Sequence, residues 1–300
     1  MENKAQKKVL IIVGVILLLI VILAYILSSL ITDSEEPNTP SDPDPNVPNE
    51  VFRDEIQRLE DDSVFFEVQK IINDYYNRIF EEDTSTLLSI LDPNYIEENQ
   101  IRANNLYSII GRDYGITNYV AKEIYYNPDS SVTYYFVRGD LSSNSIMGDE
   151  YEFFEDVSYL IIVDESNGNY VLRPIQTTNL SEYAQNYDMV ERQLSSGVTF
   201  SAEEITLENK LSTYLAIFIN FLIDNPEEAY LLLDDHTKNS YRGYEDFLNQ
   251  TTSLYQNFSS KIFSYSSREE DDVTIYDVVD DKQNQFVIYE YGIMNFQISY

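Results

Sequence analysis

"DNPEEAYLLLDD", Asp224 to Asp235, has a counterpart 142 positions upstream in "EDTSTLLSILDP", Glu82 to Pro93. Each phrase starts with a residue suited to capping a helix: Asn225 followed by Pro226 in one, Asp83 or Thr84 in the other. Pro fits the first helical position, and Glu227 and Glu228 suit the positive end of the helix dipole. Each ends at Leu-Asp, namely Leu91-Asp92 and Leu233-Asp234. Read outward, each follows a longer amphipathic segment. Phe65, Val68, Ile71, Ile72, Tyr75, Tyr76, Ile79 and Phe80 recur at helical spacing behind a cap at Asp62-Ser63. Leu207, Leu211, Tyr214, Leu215, Phe218, Phe221 and Leu222 do the same behind a capping box at Ser201 and Glu204. Amphipathic helices slide into agreement easily, so the strands carry more weight. "VTYYFVRGD", Val132 to Asp140, and "VTIYDVVDD", Val273 to Asp281, lie 141 apart. The spacing predicts two copies of one module.

A third helix is expected in each copy, over Glu97 to Ile110 and over Tyr244 to Phe258. Strands follow. The first copy offers Thr117–Tyr126, Val132–Arg138, Glu152–Val163 and Tyr170–Ile175, with a tight turn at Asn167-Gly168. The second offers Lys261–Ser266, Val273–Val279, Phe286–Tyr291 and "NFQISY". The expected fold class is α+β: an N-terminal transmembrane helix, then two repeats of three helices packed on a curved antiparallel sheet. Counting from "YLIIVD", the second copy lacks a closing strand. Phe296–Tyr300 is therefore expected at an unpaired sheet edge, and the second domain is read as incomplete.

The transmembrane expectation comes from "VLIIVGVILLLIVILAYILSSLI", Val9 to Ile31, 23 residues without a charge. At ~1.5 Å per residue it spans roughly 35 Å, longer than the ~7 to 15 residues of a signal-peptide core. Lys4, Lys7 and Lys8 precede it while Asp33, Glu35 and Glu36 follow, which sets the N-terminus in the cytoplasm and the bulk outside the plasma membrane. Residues 33–50 hold five of the nine prolines and read as an extended acidic spacer. The expected layout is a tail over 1–8, a span over 9–31, a linker over 32–50, a first domain over 51–178, a linker over 179–200 and a second domain over 201–300.

The net charge of −33 repels phosphate and argues against nucleic-acid binding. No cysteine is present, so disulfides, thiolate metal sites and lipidated cysteines are excluded. His236 is the single histidine and falls opposite Asn94 in the repeat, a place for a solvated turn residue. Asp271-Asp272 and Asp280-Asp281 lack the ligand spacing of a calcium loop and read as solvated hairpin turns. No catalytic, cofactor or metal residue is assigned.

The phrases "YYNRIFEEDTSTLLSILDPNY" and "YLAIFINFLIDNPEEAYLLLDDHT", each a long helix, a capped short helix and a Leu-Asp stop before strands, resemble the cone-shaped fold of nuclear transport factor 2. The resemblance covers residues 52–178 and 201–300. The whole layout also resembles scaffold subunits of type IV secretion and conjugation machines in Gram-positive bacteria. It implies a non-catalytic, membrane-anchored scaffold or interaction protein with protein partners in the cell envelope. The alternative it leaves open is a ligand-binding protein or enzyme that uses the interior of one cone, with Tyr75, Tyr76, Tyr134 and Phe154 as candidate lining.

Overall fold

A computed structural model describes residues 56–300, apart from 112–113, 129–130 and 146–150. Its first long helix, α1 (Asp62–Phe80), is capped by Asp61, whose carboxylate accepts the Val64 N–H at 3.1 Å. Phe65, Val68, Ile71, Ile72, Tyr75, Tyr76 and Ile79 form its buried face; Phe80, one step past the stripe, is 49% exposed. Asp83 caps α2 (Thr84–Ile90). Leu91 then turns extended and Asp92 caps α3 (Pro93–Glu98), so the Leu-Asp stop is also the start of the next helix. After α4 (Leu106–Ile110) come β2 (Tyr114–Tyr126), β3 (Val132–Ser145), β4 (Tyr151–Asp164) and β5 (Tyr170–Ile175), an antiparallel meander extended at its β2 edge by β1 (Gln57–Arg58).

The second lobe repeats the plan. The short helix that comes first in the chain, α5 (Leu180–Asn186), packs on the first sheet (below), so the counterpart of α1 is the long α6 (Leu207–Asp224), and Asn225 caps α7 (Pro226–Leu231) with Pro226 at the first position. The α6 cap is Thr206, which accepts the Asn209 N–H at 3.2 Å; the expected cap at Ser201 lies outside the helix. Asp234 caps α8 (Asp235–Ser240), followed by α9 (Tyr244–Leu248) and α10 (Thr251–Asn257). A second meander runs β6 (Ile262–Glu270), β7 (Val273–Asp280), β8 (Gln285–Gly292) and β9 (Asn295–Ser299) in sequence order.

The equivalence of the lobes shows in one repeated contact. Leu91 bridges Leu172 of β5 in parallel, with Asp92 N–H donating to the Leu172 carbonyl at 2.9 Å. Leu233 bridges Ile298 of β9 in the same way, with Asp234 N–H donating to Ile298 at 3.0 Å. Strand β9 is therefore the counterpart of β5, and the second sheet has the four strands that β2 to β5 make in the first. The expected missing strand came from counting residues: β3 and β4 are 14 residues long, β7 and β8 only 8, so the last strand arrives early. Strand β9 does lie at a sheet edge, but Ile298 is bonded on its outer side, its N–H donating to Leu232 at 2.8 Å.

The expected fold class requires correction in two respects. No helix among the described residues is long and apolar enough to cross a membrane, and the stretch 9–31 lies outside them; the fold described is α+β with two antiparallel sheets. The three helices per repeat become four before the first sheet and five before the second, among the described residues. The third helix breaks in the first lobe because Gln100 turns left-handed (φ 52°) and the Asn105 amide accepts Arg102 N–H at 2.6 Å and donates to Gln100 at 3.1 Å. Asparagine side chains compete in this way with helix bonding.

Buried residues fall into three clusters. Tyr135, Val137, Tyr159, Ile161 and Leu172 pack the first sheet onto α1. The opposite face of that sheet, with Val132, Tyr134, Phe136, Leu160 and Ile162, is covered by Leu180 and Ala184 of α5 (Leu180–Asn186) and by Met189 and Leu194. The stretch 179–200, expected as a linker, is thus a packed layer. Its end pairs with the β4–β5 turn: Phe200 N–H donates to Gly168 at 2.7 Å. The third cluster joins α6 to the second sheet through Tyr214, Phe218, Val278, Phe286 and Ile288. The described residues form one compact unit, and Phe153 of the first lobe meets Phe221 of the second edge-on at 6.3 Å.

Candidate functional site

The first sheet bends over α1 at a bulge. Between the pairs Gly139↔Val157 and Leu141↔Phe154, two β4 residues oppose the single Asp140. Asp156 takes up the extra length in a left-handed conformation (φ 56°). Gly139 is required there because a Cβ would stand 2.1 Å from the Val120 carbonyl oxygen. Asp140, buried to 1% exposure, is held by Lys122 Nζ at 2.6 Å, and its carboxylate accepts the Asp156 N–H at 3.4 Å. Burial raises the Asp140 pKa above its ordinary value, against the pull of Lys122.

The bend opens a cleft of about 850 Å³ at the mouth of the first lobe. Helix α1 contributes Tyr75 and Tyr76 to its floor, β4 contributes Tyr159, and α3 contributes Tyr95. Phe154, 39% exposed, and Ile109 stand at the rim, and the stretch from Pro174 to Thr178 forms one wall. The floor is closed. Tyr75, Tyr76 and Tyr159 are each no more than 3% exposed, and their rings meet edge-on at 5.3 to 6.2 Å. The Tyr76 and Tyr159 hydroxyls bond each other, and Tyr119 donates to the Val157 carbonyl at 2.9 Å. Burial pushes the Tyr119 and Tyr159 hydroxyls well above their ordinary range. Among the described residues Asp156 is the one acidic or basic side chain of the lining, and it is exposed.

Three of the four candidate lining residues, Tyr75, Tyr76 and Phe154, meet at this cleft. Tyr134 does not: it points to the other face of the sheet, where its hydroxyl donates to Val190 at 2.7 Å. His236 is exposed on α8, two residues past Asp234, as Asn94 is two past Asp92. Asp271 and Asp272 are exposed and both left-handed (φ 45° and 65°), forming the β6–β7 turn. Asp280, expected as a solvated turn residue, is fully buried. It accepts N–H groups of Ser259, Lys282 and Asn284 at 2.7 to 2.9 Å and the Asn284 amide at 2.8 Å. Among the described residues no three histidine or acidic side chains gather as a metal site would require.

A second cluster went unread in the sequence. Glu290 of β8, 7% exposed, accepts Tyr214 at 2.5 Å and Tyr276 at 2.7 Å and is paired with Lys210 Nζ at 2.6 Å. Lys210 also bonds Asp62, at the start of α1, at 2.9 Å, so one ammonium ties the two lobes. Burial first, then the Glu290 carboxylate, raises the Tyr214 hydroxyl far above its ordinary value. The signal was present: strand alternation sets Glu290 on the inward side with Phe286 and Ile288, and Lys210 interrupts the apolar stripe of α6. The cluster is a structural tie in which the Glu290 carboxylate is taken up by two hydroxyls and the Lys210 ammonium inside the chain.

No protein-family model, curated protein or solved structure matches this chain.

Proposed function

We propose that the protein is a non-catalytic scaffold or interaction protein whose first lobe binds a partner at the tyrosine-floored cleft. The observation that carries this reading is the closed floor. General acid–base chemistry works best with a titratable group poised near the working pH. The hydroxyls beneath this cleft are instead pushed upward and turned toward each other. What remains open is a shallow aromatic surface with Phe154 exposed at its rim, the kind of surface that anchors a partner side chain. Kinship with the nuclear transport factor 2 cone and a role in a secretion or conjugation assembly belong to the same proposal. They are supported by the helix, capped helix, Leu-Asp and meander order of each lobe. Placement outside a plasma membrane rests on sequence alone, on the charge pattern around residues 9–31.

The test is a photo-crosslinking residue placed at Phe154 in the full chain inside cells, with Leu248 of α9, exposed on the other lobe, as the control position. A discrete covalent adduct from Phe154 and none from Leu248 is expected. Turnover of a small-molecule substrate by the purified chain, abolished by Tyr76→Phe or Tyr159→Phe, would replace this reading with the enzymatic one.

A further inference from the structure

In the first lobe the outer edge of β2 is covered by β1: Gln57 and Arg58 pair with Tyr126 and Tyr125, and Leu59 N–H donates to Ile124 at 2.8 Å. The equivalent edge in the second lobe belongs to β6. The chain that leads into α6 is tied to the first lobe up to Phe200, and residues 201–206 that follow form no strand against β6. Val198 accepts the Tyr170 N–H at 3.3 Å and Thr199 bridges Asn169, both in the first lobe. Among the described residues β6 pairs only with β7. Eight of its nine residues are exposed, with Phe263 at 67% and Tyr265 at 44%. Natural sheets blunt such edges with charged side chains, lysine above all, with proline or with a cover; the charges of this strand, Arg268, Glu269 and Glu270, gather at one end, and Ile262 to Ser267 carries neither charge nor proline.

We infer that β6 is a docking edge that accepts an antiparallel strand from a partner protein, basic in its N-terminal half and aromatic or β-branched in its C-terminal half. The order follows from charge. Glu269, Glu270, Asp271 and Asp272 crowd the end of β6 and the turn beyond it, and the one cation nearby, Arg268, is already paired with Asp277 and Glu270. An antiparallel guest brings its N-terminal half to that acidic end and its C-terminal half alongside Tyr265 and Phe263. Backbone bonds supply affinity and alternate side chains supply choice. A second copy of this chain fits poorly. Twofold pairing centred on Ser266 and Ser267 sets Phe263 of each copy beside Glu270 of the other, in a chain of net charge −33. The edge is separate from the cleft, so changes at Phe154 leave it untouched.

Amide hydrogen exchange of the full chain in mild detergent tests this, with short synthetic peptides as probes. A peptide with lysines first and Val/Tyr residues last slows exchange across residues 262–270. The same composition in reverse order binds roughly tenfold more weakly, and added salt weakens the first peptide because its charges are exposed. N-methylation of alternate peptide amides abolishes protection. The double change Phe263→Ser and Tyr265→Ser, at exposed positions, weakens binding while leaving the thermal unfolding midpoint in place. Equal binding of both peptide orders, absence of protection over β6, or protection that grows with chain concentration in the absence of peptide would overturn the inference.

Discussion

The two sheets share connectivity and differ in how many faces are covered. The first carries α1 on one face and the 179–200 layer on the other, and its β4 reads "YLIIV" without a polar break. Unbroken apolar runs mark strands buried on both sides. Among the described residues the second carries helices on one face only. Its β7 and β8 alternate, with Tyr276, Val278, Phe286 and Ile288 inward and Asp277 and Tyr291 outward and exposed. Sequence composition within a strand thus records what lies behind the sheet as well as what lies in front. The lobe with one cover is also the one that keeps an open edge.

Exchange kinetics should break or sharpen this contrast most strongly. Amides of Leu160 to Val163 should exchange only through global opening, about 5–15 kcal/mol for a domain of ordinary stability, whereas outward amides of β6 should open at a cost near ~0. Comparable protection in the two strands would mean that β6 has a cover. Next in size, Glu290→Ala strands Lys210 without its main partner and should cost about 3–5 kcal/mol in chemical denaturation. Because Lys210 reaches Asp62, loss of one lobe should register in the tyrosine signal of the other. Leu91→Ala and Leu233→Ala, at 1% and 0% exposure, should each cost about 2–5 kcal/mol. The first should be the costlier, since the twice-covered sheet has less room to collapse into the void. The cap change Asn225→Ala should cost about 1 kcal/mol.

The smallest effect expected is a pH dependence centred on Asp164. The Ser166 hydroxyl above all, with the N–H groups of Leu194 and Ser166, holds its carboxyl below the ordinary value despite burial. A depressed folded pKa stabilises fully above the unfolded value of about 4 and is lost as pH falls through the lower folded value. Stability should therefore drop as pH falls from about 4 through the lower folded value, and Asp164→Asn should flatten the acid limb. An unchanged limb would place the acid-sensitive groups elsewhere.

Much of this was legible. The stripes of α1 and α6, the caps at Asp83 and Asn225 and the paired "VT" strands are local patterns with a fixed period, and they survive folding. What escaped depended on distant partners. Tyr134 was grouped with the cleft because alternation says that Tyr134 and Tyr135 face opposite ways, but not which of them faces α1. The layer over 179–200 buries Leu180, Ala184, Met189 and Leu194 at spacings that match neither helix nor strand throughout, so it read as a linker. The role of the Leu-Asp stops came from the last strand of each sheet, far along the chain. Of the cleft, the aromatic residues were visible in the sequence, while the bulge at Asp156 that opens it was not, since a bulge is set by the mismatch between two strands.

The detour of residues 198–200 onto the β4–β5 turn has a consequence for how this protein can be divided. A cut made where the first sheet ends, at Ile175, would leave Tyr134, Phe136, Leu160 and Ile162 facing water and would free a sticky slab of sheet. A piece that keeps both faces of the first sheet covered runs instead to about Phe200, whose ring stacks on Tyr135 at 5.6 Å. The covalent connection between the lobes shrinks to the few residues from Ser201 to Ile205. A cut there should therefore leave a better folded first lobe than one at Ile175, although either cut gives up the Lys210–Asp62 and Phe153–Phe221 contacts.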